Sequence, residues 1–192
     1  MNLMEVLSEQ AKQASNRPAI IETKSGQDRV LTFAELEAEV IQAAAIMQAA
    51  GLKKGDRVLF LQGVSTELYL ALLAVFRLGT VAVFVDPSAG WKKLRQATDL
   101  ASPSAVVAGF KGQFASWLMP ELWSCRQRFA VSSKFCLPGF QRLDRRNHAH
   151  REIPIEPCEG DDPALLTFTS GSTGRPKAAL RTHDFLLAQH RV

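Results

Sequence analysis

Val81–Val85 reads Val-Ala-Val-Phe-Val, five apolar residues with no polar alternation. It follows closely on a longer apolar run, Leu68 to Phe76, which Arg77 and Gly79 close. A strand that alternates polar and apolar residues can keep one face wet, whereas one that does not must be covered on both faces. The preceding run is too short to cross a bilayer and has the length of a buried helix. A doubly covered strand beside a buried helix confines the chain to a layered α/β architecture.

The same alternation recurs along the chain. Residues 2–15 place Leu3, Leu7 and Ala11 at helical spacing. Ala19–Ile21 and Arg29–Leu31 read as paired strands around the turn residues Lys24-Ser25-Gly26-Gln27-Asp28. Thr32-Phe33-Ala34-Glu35 has the form of a capping box, and the helix it opens should stop near Ala50, with Gly51 beyond its end. Further strands are expected at Arg57–Leu61, Ala105–Ala108, Arg128–Val131 and Ala164–Phe168, with helices from Ser65 or Thr66 to near Gly79 and over Trp91–Leu100. The stretch 134–160 reads as an irregular excursion within one domain. The expectation is an α/β fold with a largely parallel sheet covered by helices, without internal repeats or a domain boundary.

The chemistry-bearing segment is Thr167-Phe168-Thr169-Ser170-Gly171-Ser172-Thr173-Gly174-Arg175-Pro176-Lys177, directly after Ala164-Leu165-Leu166. Such a loop suits a polyphosphate. Glycines let the backbone approach an anion, successive N–H groups form a nest, hydroxyls donate hydrogen bonds, and lysine adds a point charge. Its spacing, Gly171-x-x-Gly174-x-x-Lys177, is not the G-x-x-x-x-G-K-[ST] loop that opens a helix, and no G-x-G-x-x-G fingerprint is present. Pro176 removes a donor and keeps Arg175 out of the helical region. Lys177-Ala178-Ala179-Leu180 should therefore begin another strand. The bland alternative is a surface loop whose hydroxyls bond their own backbone.

From Phe168 through Lys177 the segment resembles the phosphate loop of the adenylate-forming (AMP-binding) superfamily, which includes acyl-CoA synthetases and fatty-acid ligases. The pattern there is an aromatic residue, Thr-Ser-Gly-Ser/Thr-Thr-Gly-x-Pro-Lys, and usually glycine; this chain has Ala178 instead. Thr182-His183 continues the resemblance. So do Thr32-Phe33-Ala34-Glu35-Leu36, Gly51-Leu52-Lys53-Lys54-Gly55-Asp56-Arg57-Val58 and Arg77-Leu78-Gly79-Thr80-Val81. Phe84-Val85-Asp86-Pro87 departs from the commoner Leu-Asn-Pro and is similar to the olefin-pathway β-lactone synthetases.

The resemblance implies that residues 1–192 are the opening part of a large N-terminal AMP-binding domain, without the C-terminal lid domain that carries a catalytic lysine. It implies ATP and Mg²⁺, a carboxylic acid such as a fatty acid, and coenzyme A or another thiol as acceptor. The ATP phosphates would meet Thr169, Ser170, Gly171, Ser172, Thr173, Gly174 and Lys177; no catalytic residue is assignable. His183 is expected at a turn or helix start rather than as a base. The rest of the enzyme would be needed for catalysis. The alternatives are a non-catalytic remnant or split subunit, a β-lactone synthetase, and an unrelated nucleotide-binding protein.

Other classes find little support. The chain is 46% hydrophobic and 22% charged, an ordinary globular balance. Met1-Asn2-Leu3-Met4-Glu5 has no basic stretch followed by an apolar one, so no signal peptide and no transmembrane segment are expected. Cys125, Cys136 and Cys158, without a C-x-x-C pair, suit free thiols in a cytoplasmic protein. Much of the formal excess of +4 sits in Arg126, Arg128, Arg142, Arg145, Arg146 and Arg151, with acidic Glu156, Glu159, Asp161 and Asp162 following closely. With only scattered aromatics and no recognised module among them, this reads as a solvated loop rather than a nucleic-acid surface. His148, His150 and Glu152 match no zinc-ligand spacing, so no metal site is expected.

Overall fold

The computed structural model describes residues 1–86, 90–131, 136–143, 152–169 and 176–190. In chain order the elements are α1 (Met4–Gln13), β1 (Pro18–Lys24), β2 (Gln27–Thr32), α2 (Phe33–Ala49), β3 (Arg57–Leu61), α3 (Thr66–Arg77), β4 (Val81–Val85) and α4 (Trp91–Ala101). There follow β5 (Ala105–Ala108), α5 (Phe110–Trp117), a 3₁₀ turn at Pro120–Leu122, β6 (Gln127–Ala130), β7 (Gln141–Arg142), β8 (Pro163–Thr169), β9 (Lys177–Thr182) and α6 (His183–His190).

β1 and β2 form an antiparallel hairpin, turned by Ser25 and Gly26, both at positive φ. The other seven strands form one sheet in the order β7-β6-β5-β3-β4-β8-β9. Every neighbouring pair in it is parallel except β8 with β9. The largely parallel sheet expected from the apolar runs is therefore present, and its antiparallel member lies at the edge.

The order of connections explains the layers. From β3 the chain crosses to β4 in one direction, then from β4 to β5 and β6 in the other. Crossovers between parallel strands are right-handed, so reversing direction moves the helix to the opposite face. One core accordingly joins α1, α2 and α3 to Val58, Phe60, Ala82 and Val107. The other joins Leu94, Ala97 and Ala101 of α4, with Met119 and Leu122, to Leu59, Val83, Val106 and Ala108. All four residues of β5 are fully buried. The rings of Phe60 and Phe84 stack at 4.9 Å across β3 and β4.

Local signals hold where they rest on side-chain chemistry. The Thr32 hydroxyl accepts from the Glu35 N–H at 3.3 Å, while the Glu35 carboxylate accepts from the Thr32 N–H at 2.9 Å. Ser65 is the N-cap of α3, its hydroxyl accepting from the Leu68 N–H. Gly51 takes φ +97° just past α2.

Two expectations need correction. The sequence reading has no helix after β5, yet α5 forms there with its polar side inward: Gln113 and Ser116 are buried, and Gly112 lies against the backbone of Leu61. The 134–160 stretch is also not wholly irregular. Gln141–Arg142 extends the sheet as β7. The Arg77 Nε donates to the Ile153 carbonyl at 2.7 Å, and the Asn2 side-chain amide donates to the Phe76 and Glu156 carbonyls at 2.9 Å each. Residues 152–158 are thus tied to the end of α3 by side chains distant in sequence. Residues 144–151, with His148, His150 and the arginines at 145, 146 and 151, lie outside the described residues.

Candidate functional site

β8 is the last parallel strand of the sheet, beside β4, and β9 returns antiparallel next to it at the edge. Their register pairs Phe168 with Ala178 and Thr169 with Lys177. The ends of the serine- and glycine-rich segment are therefore held on adjacent strands, one strand-spacing apart. Strand β9 begins at Lys177, as Pro176 and the residues after it predict. Ser170, Gly171, Ser172, Thr173 and Gly174 lie outside the described residues.

This stem sits at the carboxyl end of the parallel strands, where ligands bind in open α/β sheets. The neighbouring strand adds a residue that marks only a subfamily in the sequence. Val85 pairs with Phe168, so Asp86 follows β4 at the level where Thr169 ends β8. Asp86, Thr169 and Lys177 thus occupy consecutive positions across three adjacent chains. Nothing in the sequence places Asp86 level with the stem, because that alignment arises only from the β4–β8 register.

The hydroxyls and bases sort themselves along the hairpin. Thr167 accepts a 2.7 Å hydrogen bond from Arg181, so its hydroxyl serves the β8–β9 stem. The Arg181 guanidinium lies 6.0 Å over the Phe185 ring. Lys177 is exposed at the stem.

His183 lies at the other end. It follows Thr182, which pairs with Pro163 at the start of β8. At about 3.3 Å per residue, β9 separates Lys177 from Thr182 by roughly 17 Å. His183 is fully buried, and its Nδ1 accepts the Leu3 N–H at 3.2 Å. Burial lowers its pKa, with nearby Asp162 pulling the other way. It is a structural residue at the start of α6, as expected. Near it, Lys54 and Asp162 form a 2.8 Å ion pair that raises the lysine pKa and lowers the aspartate's.

A groove of about 490 Å³ opens on the sheet face below the stem. Leu166 and Phe168 of β8, Ala178 and Leu180 of β9, and Leu100 of α4 line it, with Lys54, Arg57 and Asp162 among its polar members. Leu180 is 54% and Leu100 60% exposed. The β9 edge of the sheet leaves apolar surface uncovered. Ala178, where glycine is usual, places its methyl on this groove.

Among the described residues, no group of three or more His, Cys, Asp or Glu side chains is placed to hold a metal ion, and no helix is long and apolar enough to cross a membrane. The three cysteines are free thiols. Burial pushes the Cys125 thiol up to about 11.

Comparison with known proteins converges on one group. The family model described as AMP-binding enzyme matches residues 7–192. The chain is 32% identical over 164 residues to an olefin β-lactone synthetase of Xanthomonas campestris pv. campestris, covering 84% of this chain and 29% of that protein. It is 32% identical over 179 residues to a fatty acid–[acyl-carrier-protein] ligase of Mycobacterium marinum, covering 91% and 33% respectively. Among solved structures it superposes on the acetoacetyl-CoA synthetase from Streptomyces lividans with a TM-score of 0.87 at 23% identity, over 99% of this chain and 31% of that one. That likeness concerns the fold. The chain spans about a third or less of the length of these curated relatives.

Proposed function

The chain belongs to the AMP-binding enzyme family, and on that premise we propose that it is the ATP-binding N-terminal portion of an AMP-forming acid–thiol ligase that activates a carboxylic acid, of the fatty-acid class. The observation that carries this reading is the Thr169–Lys177 register, which fixes both ends of the hydroxyl- and glycine-rich loop at the carboxyl edge of the sheet. The fatty-acid assignment draws on the printed activity of the fatty acid–[acyl-carrier-protein] ligase relative. Residues 1–192 would form part of the large N-terminal domain, and the relatives' greater length leaves room for an acyl pocket and a lid domain.

The reaction joins an acid oxygen to the α-phosphorus of ATP and breaks the bond to pyrophosphate, so negative charge grows on the departing group. Donors fixed in advance around that charge lower the barrier without reorganising during the step. Thr169, Ser170, Ser172 and Thr173 would supply hydroxyls, Gly171 and Gly174 backbone N–H groups, and Lys177 a charge on a phosphate oxygen. Mg²⁺ draws most of its ligands from phosphates and water, with one or two carboxylates. Asp86, level with the loop stem, would supply one such carboxylate. When bound, the ion would neutralise phosphate charge. A thiol, from coenzyme A or a carrier protein, would then take the acyl group from the adenylate.

The test is exchange of radiolabelled pyrophosphate into ATP by the longest natural protein that contains this chain, with a series of fatty acids. Lys177→Ala should lower exchange on the order of 100-fold, the usual cost of removing one fixed transition-state donor. Exchange that ignores this substitution would remove the loop from the reaction.

A second reading follows from the similarity to the β-lactone synthetase. A carboxylate activated as adenylate, with a hydroxyl on its β-carbon, can close to a β-lactone with loss of AMP. Incubation with ATP, coenzyme A and a 3-hydroxy acid separates the readings: a strained lactone carbonyl in the infrared favours cyclisation, and a coenzyme A thioester favours ligation.

A further inference from the structure

We propose that the outer surface formed by α4, α5 and the 3₁₀ turn docks onto an anionic lipid bilayer. The first observation is the inverted face of α5. Its buried residues are Gln113 and Ser116, with Gly112 against β3, whereas Phe110, Phe114 and Trp117 stand 47%, 45% and 41% exposed. Those three recur at helical spacing, and their rings contact edge-on in sequence, at 5.1 Å and 6.1 Å between centroids. A surface helix ordinarily turns its apolar stripe to the core. This one turns it to the outside.

The second observation is where the tryptophans lie. The chain has three. Trp91 opens α4, Trp117 ends α5 and Trp123 follows the 3₁₀ turn, 44%, 41% and 67% exposed in that order. The elements adjoin one another. The Trp123 indole N–H donates to the Trp117 carbonyl at 3.1 Å, and Arg95 of α4 pairs with Glu121 of the turn at 2.7 Å. Trp91 and Glu121 line one shallow surface groove. Tryptophan presents an apolar body and a polar tip, which suits the boundary between headgroups and acyl chains.

Charge selects the occupant. Residues 91–128 hold six Lys and Arg against Asp99 and Glu121, a net charge of +4. The remainder of the chain carries 17 basic and 17 acidic residues; of the six bases, Lys92, Lys93, Arg95 and Lys111 lie on α4 and α5, and Arg126 and Arg128 lie just past the turn. Exposed aromatics among lysines and arginines form the pattern of an interfacial membrane surface, where buried apolar area and attraction to anionic lipid add.

Vesicle binding by the 192-residue chain tests this. Every tryptophan sits in the patch, so its emission reports on that surface alone. On vesicles containing phosphatidylglycerol the emission should shift to the blue and be quenched by brominated acyl chains, with little change on phosphatidylcholine. Lys92→Gln with Lys111→Gln should weaken binding roughly 25-fold, about fivefold for each basic side chain near the surface. Phe114→Ser with Trp117→Ser should weaken it roughly tenfold or more. Leu180→Ser, in the open groove beside β9, should leave it unchanged. Binding lost only with Leu180→Ser would overturn the proposal by showing that the groove is responsible. So would an absence of anionic selectivity. Patch-dependent self-association without vesicle binding, or patch-dependent binding to an acidic carrier protein but not to lipid, would each overturn it in favour of a protein partner.

Discussion

Gly112→Ala should destabilise the fold, although glycine-to-alanine replacement inside a helix ordinarily does the reverse. Alanine's helix preference and its narrower unfolded ensemble are worth about 0.5–1 kcal/mol in favour of the folded state. At Gly112 the added methyl would collide with the Leu61 carbonyl oxygen and meet the Leu61 Cβ at 2.8 Å. Leu61 ends a central strand paired on both sides, so its backbone cannot step aside as a long side chain would. Overpacking costs about 1–3 kcal/mol, and a backbone obstacle belongs at the upper end of that range. The net loss should be about 2 kcal/mol, or a fall in Tm of roughly 4–8 °C for a chain of this size. Urea unfolding followed by far-ultraviolet circular dichroism measures it. Gly63→Ala is the control, because nothing lies within 4 Å of a Cβ built there; it should change stability by under about 1 kcal/mol. A Gly112→Ala chain as stable as the parent would mean that α5 does not press Gly112 on β3, and the outward turn of its aromatics would lose its geometric basis.

Three further outcomes are expected. Thr32→Ala removes the acceptor for the Glu35 N–H and should cost about 1 kcal/mol in the same urea titration. His183 has its pKa held below the ordinary 6.5 by burial, so the unfolded chain binds its proton first. Its contribution is complete above about 6.5 and falls away as pH drops toward the folded value; His183→Gln should flatten that part of the stability profile. The Cys125 thiol, pushed up to about 11, is thiolate only to about one part in a thousand at pH 8. In a brief native treatment with iodoacetamide, mass spectrometry should find Cys125 unmodified, and rapid labelling there would contradict its burial.

What could be read from the sequence depended on how local the cause was. β3, β4 and β5 emerge at their true bounds because, Arg57 apart, all their residues are apolar, and that fact needs no partner to interpret it. The α2 start is legible because Thr32 and Glu35 satisfy each other within one turn. α5 is illegible for the opposite reason. Periodicity reasoning assumes that the apolar side of a helix is its inner side, and there Gly112, Gln113 and Ser116 are inside. The strap at 152–158 is equally hidden, since Arg77 and Asn2 hold it with hydrogen bonds across long sequence separations.

The candidate site divides in the same way. Pro176 announces by itself that no helix follows the loop, so a returning strand from Lys177 is a local deduction. Lys177 is brought back to the level of Thr169 because Leu166 pairs with Leu180 and Phe168 with Ala178, a register two apolar pairs deep. A slip of one residue would turn Leu180 and Ala178 to the opposite face and carry Lys177 away from Thr169. Asp86 reaches the same level through the β4–β8 register, which depends on a strand nearly eighty residues further along the chain. A loop motif therefore names the ligand class, whereas the groups that would complete the site around it come from strand register. That is why Asp86, where asparagine is commoner, is only a mark of ancestry in the sequence and stands level with the stem of the loop in the fold.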